Sequence, residues 1–247
     1  MHAAIYGLAG LKLTPDERAF FGEADAAGYI LFKRNCDHQA QLLRLTDDLR
    51  ELSGRDDLPI LIDQEGGRVA RMQPPEWPAF PAADAFARLY RAAPSSAIEA
   101  ARSNARAIAL TLRSAGINVN CLPLLDVRQE GAHDIIGDRA LGSEPMQVAA
   151  LGRAVLDGMA SAGVVGVIKH IPGHGRALAD SHKELPIVAA SAEELDSDLE
   201  PFERLRAAPM GMTAHVVYTA WDATLPASLS PTVIRTSSAA ASASKAG

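Results

Sequence analysis

The sequence is poor in the features that mark several whole classes of protein. Only two of its 247 residues are cysteine. Cys36 and Cys121 lie far apart with no CxxC or Cys/His ligand spacing, which argues against a disulfide framework or thiolate zinc site and predicts buried thiols. No apolar run approaches the ~18 residues of a membrane-spanning helix. The first six residues lack the Lys/Arg cluster that opens a secretory signal, so the expectation is a cytoplasmic protein that crosses no bilayer. Positive charge is in deficit: 24 Lys+Arg against 30 Asp+Glu leave a net charge of −6, which disfavours nucleic acid and anionic membrane as partners. Nucleotide signatures are missing too, with no GxxxxGK(S/T) and no GxGxxG between a strand and a helix. Neither a GxSxG elbow nor an HExxH pair is present.

What is present is an alternation. Apolar stretches of strand length at residues 3–8, 29–33, 59–63, 117–126, 164–170 and 210–218 are separated by amphipathic stretches of helix length. That order is the mark of an α/β protein with a parallel sheet. Thr14-Pro15-Asp16-Glu17 and Ser191-Ala192-Glu193-Glu194 are capping boxes that start helices. Leu42, Leu45, Leu49 and Leu52 stripe a helix over 37–53 that Gly54 stops. Two more helices are expected at 98–113 and 148–162, and Pro201 should kink or tighten the one that begins after Ser191. Three long connections, 64–95, 128–144 and 171–190, follow strand C-termini, where parallel β/α proteins carry their chemistry. The closing TSSAAASASKAG (236–247) has no side chain large enough to bury, so a disordered tail is expected beyond a domain spanning 1–235.

Three segments carry reactive side chains. Asp63 ends an apolar strand and is followed by a Gly66-Gly67 turn, Arg68 and Arg71. A carboxylate there can accept sugar hydroxyls and a guanidinium can hold several oxygens, the plainer reading being an Asp/Arg pair that steadies the loop. Lys169 and His170 end another apolar strand, where burial without a partner is costly, so a polar cleft is expected. In the loop beyond, Asp180 and His182 are two apart, and the carboxylate could orient the imidazole; an exposed loop histidine is the plainer alternative. Arg139, in the third segment, can reach the same rim, although a solvated arginine is the default. Pro172 and Gly173 prevent the helix that would pair His170 with His174, and a metal site from His170, His174, His182 and His215 is the less favoured reading.

Seven motifs in chain order, YILFKRN (29–35), LIDQEGGRVARM (61–72), INVNCLPLLDV (117–127), GDRALG (137–142), KHIPGHG (169–175), DSHKELP (180–186) and MTAHVVYTAWDATLPASLSP (212–231), closely resemble the family-three glycoside hydrolases. Within that family they look like the bacterial β-N-acetylglucosaminidases of cell-wall recycling. The resemblance implies a TIM-type barrel that removes terminal β-linked N-acetylglucosamine from muropeptide fragments in the cytoplasm, by a retaining route through a covalent glycosyl-enzyme. It further implies Asp63, Arg71, Arg139, Lys169 and His170 as the sugar pocket, and His182 as general acid/base with Asp180 as its partner. No metal or organic cofactor is implied.

The family's nucleophile is an aspartate in a segment resembling SDDLxM, about two dozen residues beyond the LSP element. Here the family-like text ends near Arg235, no acid follows Asp222, and Asp222 lies before the strand in question. The expectation is therefore an incomplete barrel of about six of eight strands, truncated or frameshifted after Arg235, with little or no turnover. Two alternatives follow from the same residues: a sugar-binding fragment without catalysis, and a relative that transfers the glycosyl group to phosphate.

Overall fold

The structure, a computed structural model, describes residues 1–129, 131, 134–177 and 185–235. Its elements run β1 (His2–Gly7), α1 (Pro15–Ala24), β2 (Ala26–Leu31), α2 (Gln39–Ser53), β3 (Ile60–Ile62), β4 (Gln64–Gly66), β5 (Val69–Ala70), α3 (Ala83–Ala92), α4 (Pro94–Ser114), β6 (Val119–Asn120), α5 (Pro145–Ala160), β7 (Val165–Ile171), β8 (Ile187–Val188), α6 (Ala192–Arg204), β9 (Met210–Thr213) and β10 (Val217–Tyr218). Among the described residues, six strands form one sheet in the order β1-β2-β3-β6-β7-β9, every neighbour parallel. The sheet curls into a half-barrel, the α/β, TIM-type architecture with six strands that the sequence predicts.

Side-chain parity decides what each face carries. On β3, Ile60 and Ile62 face the helices and join the large outer core with Leu42, Leu45, Leu49 and Leu112. Leu61, between them, faces inward and packs with Val119, Cys121 and Val167, with Met210 and Met212 against them. Both faces are buried, which explains why the strands read as unbroken apolar runs. The same period places Asp63, two residues after Leu61, and Lys169, two after Val167, on the inner side at the C-terminal mouth. The edges are less covered: β1 alternates between exposed and half-buried and so does β9, whereas β3 and β6 are buried throughout.

Both capping boxes form as read, Thr14 on Glu17 and Ser191 on Glu194. Gly54 closes α2 with φ 65°. Pro201 tightens the last turn of α6, where the Leu205 N–H is shared between the Pro201 and Phe202 carbonyls. Other boundaries differ from the sequence reading. α4 and α5 begin earlier, at Pro94 and Pro145, because proline suits the first helical position and its missing N–H costs nothing there. The 117–126 run is strand only at Val119–Asn120, since Pro123 has no N–H for the ladder; pairing resumes as a single bridge from Leu124 to Lys169. The 210–218 run divides, and β10 pairs with β8 rather than with the main sheet. The connection 64–95 contains the β4–β5 hairpin and α3, a helix that the surrounding prolines and the uncapped start at Ala82 disguise. Cys36 and Cys121 are free thiols, half-buried and buried, and burial pushes both up to about 12, so neither is a thiolate at neutral pH. Among the described residues no helix is long and apolar enough to cross a membrane.

α5 crosses α4 at Gly158, where an added Cβ would lie 2.2 Å from the Arg102 carbonyl oxygen. Alanine normally favours a helix interior by about 1 kcal/mol over glycine, but here it forces the helices apart. We expect Gly158→Ala to destabilise by about 1–3 kcal/mol, read as a lower urea midpoint at unchanged slope; a raised midpoint would mean the contact is looser than described.

Candidate functional site

Charged side chains from four elements meet at the C-terminal mouth of the sheet. Lys169, from β7, is 2% exposed and its Nζ lies 2.9 Å from Asp63 Oδ1 and 2.7 Å from Glu65 Oε1. Arg71 donates to the other oxygen of Asp63 at 3.1 Å. Arg139 grips Glu65 with two parallel bonds, Nε to Oε2 at 2.8 Å and Nη2 to Oε1 at 2.9 Å. Three cations and two carboxylates thus form one chain of contacts, Arg71–Asp63–Lys169–Glu65–Arg139.

The turn after Glu65 makes this geometry accessible. Gly66 and Gly67 have φ 95° and 57°, and a Cβ on Gly66 would lie 2.3 Å from the Pro81 carbonyl oxygen. Only glycine passes there, so the chain folds back immediately and returns Arg71 to the carboxylate it left eight residues before. Gln64 locks the hairpin from within: its side-chain oxygen accepts the Arg71 and Met72 N–H groups and its amide donates to the Met72 carbonyl.

A second cluster adjoins the first. Asp126 is fully buried and its carboxylate accepts the backbone N–H groups of His170 (3.2 Å) and His174 (2.7 Å), while its other oxygen lies 2.8 Å from His170 Nδ1. A carboxylate there fixes Nδ1 as the donor and leaves Nε2 for a ligand. His174 packs against His170, ring centroids 5.8 Å apart.

Electrostatics follow from burial against pairing. Burial would raise the Asp63 and Glu65 carboxyls, but Lys169, with Arg71 for the one and Arg139 for the other, outweighs it and holds both below their ordinary range. Burial would likewise lower Lys169, and the two carboxylates reverse the direction. Asp126 is buried but His170 and the His174 N–H hold it far down, an anion at any neutral pH. Burial pushes the His174 imidazole below its ordinary value and so toward the neutral form. All of these groups except the fully buried Asp126 border a cleft of about 520 Å³, with Met212, Thr213 and His215 on its β9 side, within the size range of small-molecule sites.

The structure brings together five of the residues singled out in the sequence: Asp63, Arg71, Arg139, Lys169 and His170 all line this cleft. The plainer Asp63/Arg71 pairing is real, yet it is one link of a larger network. Arg139 is not solvated; its side chain is 11% exposed and spent on Glu65. Asp180 and His182 lie outside the described residues, as do 236–247. Glu65 and Asp126 were missed as site residues, though each had a signal: Asp126 closes the apolar run 117–126 as Asp63 closes 59–63, and Glu65 sits beside the glycine turn. His215 borders the cleft with Nδ1 2.7 Å from Ser228 Oγ. Of the four histidines weighed for a metal, His182 is not described, and among the described residues no three His, Cys, Asp or Glu side chains are arranged to hold one. Asp222 is occupied elsewhere, accepting hydrogen bonds from Thr224, Leu225 and Ser230 in its own turn.

Removing the central cation should alter the acid response. In the native chain the lowered carboxyls of Asp63 and Glu65 stabilise the fold above about pH 4 and lose that contribution as pH falls through their folded values. In Lys169→Met both stay buried without the ammonium, at a cost of about 3–5 kcal/mol at pH 7. We expect the gap in urea midpoint between the native chain and the variant to narrow from pH 7 to 5 as the two carboxyls take up protons in the variant; a constant gap would show that Lys169 does not set these carboxyls.

Residues 6–237 match the glycosyl hydrolase family 3 N terminal domain. The chain is 39% identical over 227 residues to a beta-hexosaminidase of Alkalilimnicola ehrlichii, covering 91% of this chain and 64% of the relative. It is 36% identical over 214 residues to that of Bordetella avium, covering 85% and 61%. The crystal structure of NagZ from Neisseria gonorrhoeae in complex with N-trifluoroacetyl-D-glucosamine superposes with TM-score 0.84 at 35% identity, over 90% of this chain and 66% of that one. A family 3 beta-N-acetylglucosaminidase from Paenibacillus superposes equally well, TM-score 0.84 at 36% identity, over 93% and 44%. The chain thus spans less than two thirds of the length of these relatives. On the family match across nearly its whole described length, with the half-barrel and the mouth cluster that go with it, the chain belongs to glycosyl hydrolase family 3.

Proposed function

We propose that this chain supplies the sugar-binding wall of a β-N-acetylglucosaminidase that removes the terminal non-reducing N-acetylglucosamine from peptidoglycan fragments, in the cytoplasm and with retention of configuration. The observation that carries this reading is the convergence of Asp63, Arg71, Arg139, Lys169 and His170 on one cleft. Proteins named beta-hexosaminidase and one named beta-N-acetylglucosaminidase are among the chain's relatives.

The geometry suits a polyol. Asp63 is held anionic and fixed on both oxygens, yet its side chain is 15% exposed, so its remaining lone pairs are free to accept adjacent sugar hydroxyls as charge-assisted bonds. Lys169 spends two directions on carboxylates and keeps a third N–H for a sugar oxygen. His170, oriented by Asp126, offers Nε2. Because all of these are locked before the sugar arrives, little ordering entropy is lost on binding.

In this reading His182, oriented by Asp180, gives its proton to the glycosidic oxygen as a carboxylate attacks C1; the C1–leaving-group bond breaks and a C1–carboxylate bond forms. His182 then takes a proton from the water that attacks C1 and releases the sugar. The 247 residues contain no segment resembling SDDLxM, so the attacking carboxylate is not among them. That observation favours a second reading for the 247 residues alone: binding without turnover.

Calorimetry of the 247-residue chain with N-acetylglucosamine tests the pocket. We expect saturable one-to-one binding that Asp63→Asn weakens about 10- to 100-fold, the worth of a charge-assisted hydrogen bond. Absence of binding would overturn the reading. An aryl β-N-acetylglucosaminide should release little or no chromophore; release that His182→Ala abolishes would show that another carboxylate attacks C1 and would remove the second reading.

A further inference from the structure

The turn that aims Arg139 is held from the hairpin opposite, and we propose that Arg68 is a positioning residue for the sugar pocket, acting through Arg139. This rests on the pocket assigned under Proposed function. Arg68 follows Gly67 at the tip of the β4–β5 hairpin and reaches across to the segment before Arg139. Its Nη2 donates to the carbonyl oxygens of Asp134 at 2.5 Å, Ile135 at 2.9 Å and Ile136 at 3.3 Å, and its Nε donates to Asp138 Oδ1 at 2.8 Å. Three successive carbonyls turned toward one guanidinium nitrogen are a built arrangement, unlike an exposed ion pair between two long side chains.

The segment is shaped to accept it. An added Cβ at Gly137 would lie 3.3 Å from Arg68 Nη2 and 3.1 Å from Asp134 Oδ1, so the guanidinium lies against the turn. Asp134 also lies 3.7 Å from Arg128. Immediately after, Gly137–Arg139 makes one 3-10 turn closed by Arg139 N–H to Ile136 O and Ala140 N–H to Gly137 O. Arg139 itself donates from Nη1 to Ile135 O at 3.0 Å, the same carbonyl that Arg68 holds.

One hairpin therefore grips this turn twice. Glu65 on β4 takes the Arg139 guanidinium, and Arg68 at the hairpin tip takes the backbone that carries it. The first contact is buried and the second is half-exposed. Fold stability therefore depends chiefly on the first, whereas the second restricts the directions that Arg139 can adopt. A misplacement of this kind is felt in binding far more than in melting.

Two arms test this with the 247-residue chain. In the first, amide hydrogen exchange at Arg139 and Ala140 is expected to speed up at least about tenfold in Arg68→Ala while exchange in α4 is unchanged. Unchanged exchange at those two amides would overturn the proposal whether or not the chain binds sugar. In the second, calorimetry with N-acetylglucosamine is run on Arg68→Ala, Arg139→Ala and the double variant. Arg68→Ala is expected to weaken binding about 5- to 20-fold alone and less than about twofold when Arg139 is already alanine. Equal losses in both backgrounds would show that Arg68 does not act through Arg139. Should the native chain bind no sugar, the pocket reading fails while the exchange arm still decides the clamp. Arg68→Lys, which keeps the charge but cannot fan across three carbonyls, should restore less than half of the exchange protection; full restoration would mean that charge alone is at work. If Arg68→Ala does not fold, Arg68→Gln takes its place in both arms under the same criteria.

Discussion

An ammonium group buried at the mouth of a half-barrel cannot stand without anions, and Lys169 is answered by two. Its contacts with Asp63 and Glu65 join the end of β3, the β4–β5 hairpin and β7 into one rigid unit. Each carboxylate then needs a second cation to balance it, which Arg71 and Arg139 provide. Such a network does not add much net stability, since desolvation of five charges offsets their attraction. What it fixes is direction: the five charged groups of the network are committed to one orientation before any ligand arrives.

The sheet makes that network unavoidable. Leu61 and Val167 face the barrel interior, so Asp63 and Lys169 two residues later must face it as well. A one-residue slip of β7 would send Lys169 into the apolar outer layer and leave both carboxylates unpaired. Packing and electrostatics therefore select the same register. The edges β1 and β9 carry less of this constraint and are correspondingly less buried, and Met210 and Met212 line the β9 side of the inner core.

Much of this was legible in the residues. The central strands show as apolar runs because they are covered on both faces, and the two capping boxes show because their side chains satisfy local N–H groups in a fixed pattern. Asp63, Lys169 and His170 were visible as polar residues ending apolar strands. What the sequence hides are effects of distance in space. Glu65 reads as one more turn residue until Arg139, 74 positions away, is seen to embrace it. Asp126 looks like a strand terminus until three donors converge on it. The division of 210–218 depends on β8 pairing with β10, a choice that no local pattern encodes. α3 was hidden by prolines before it and by the lack of a capping side chain.

The most direct test of the claim that this network is a sugar pocket is to map amide and side-chain NMR shifts on titration with N-acetylglucosamine. The account predicts perturbations concentrated on Asp63, Arg71, Arg139, Lys169 and His170, with the Lys169 ammonium and Arg139 guanidinium protons moving together. Perturbations confined to another surface, such as the groove between residues 9–14 and α2, would contradict it.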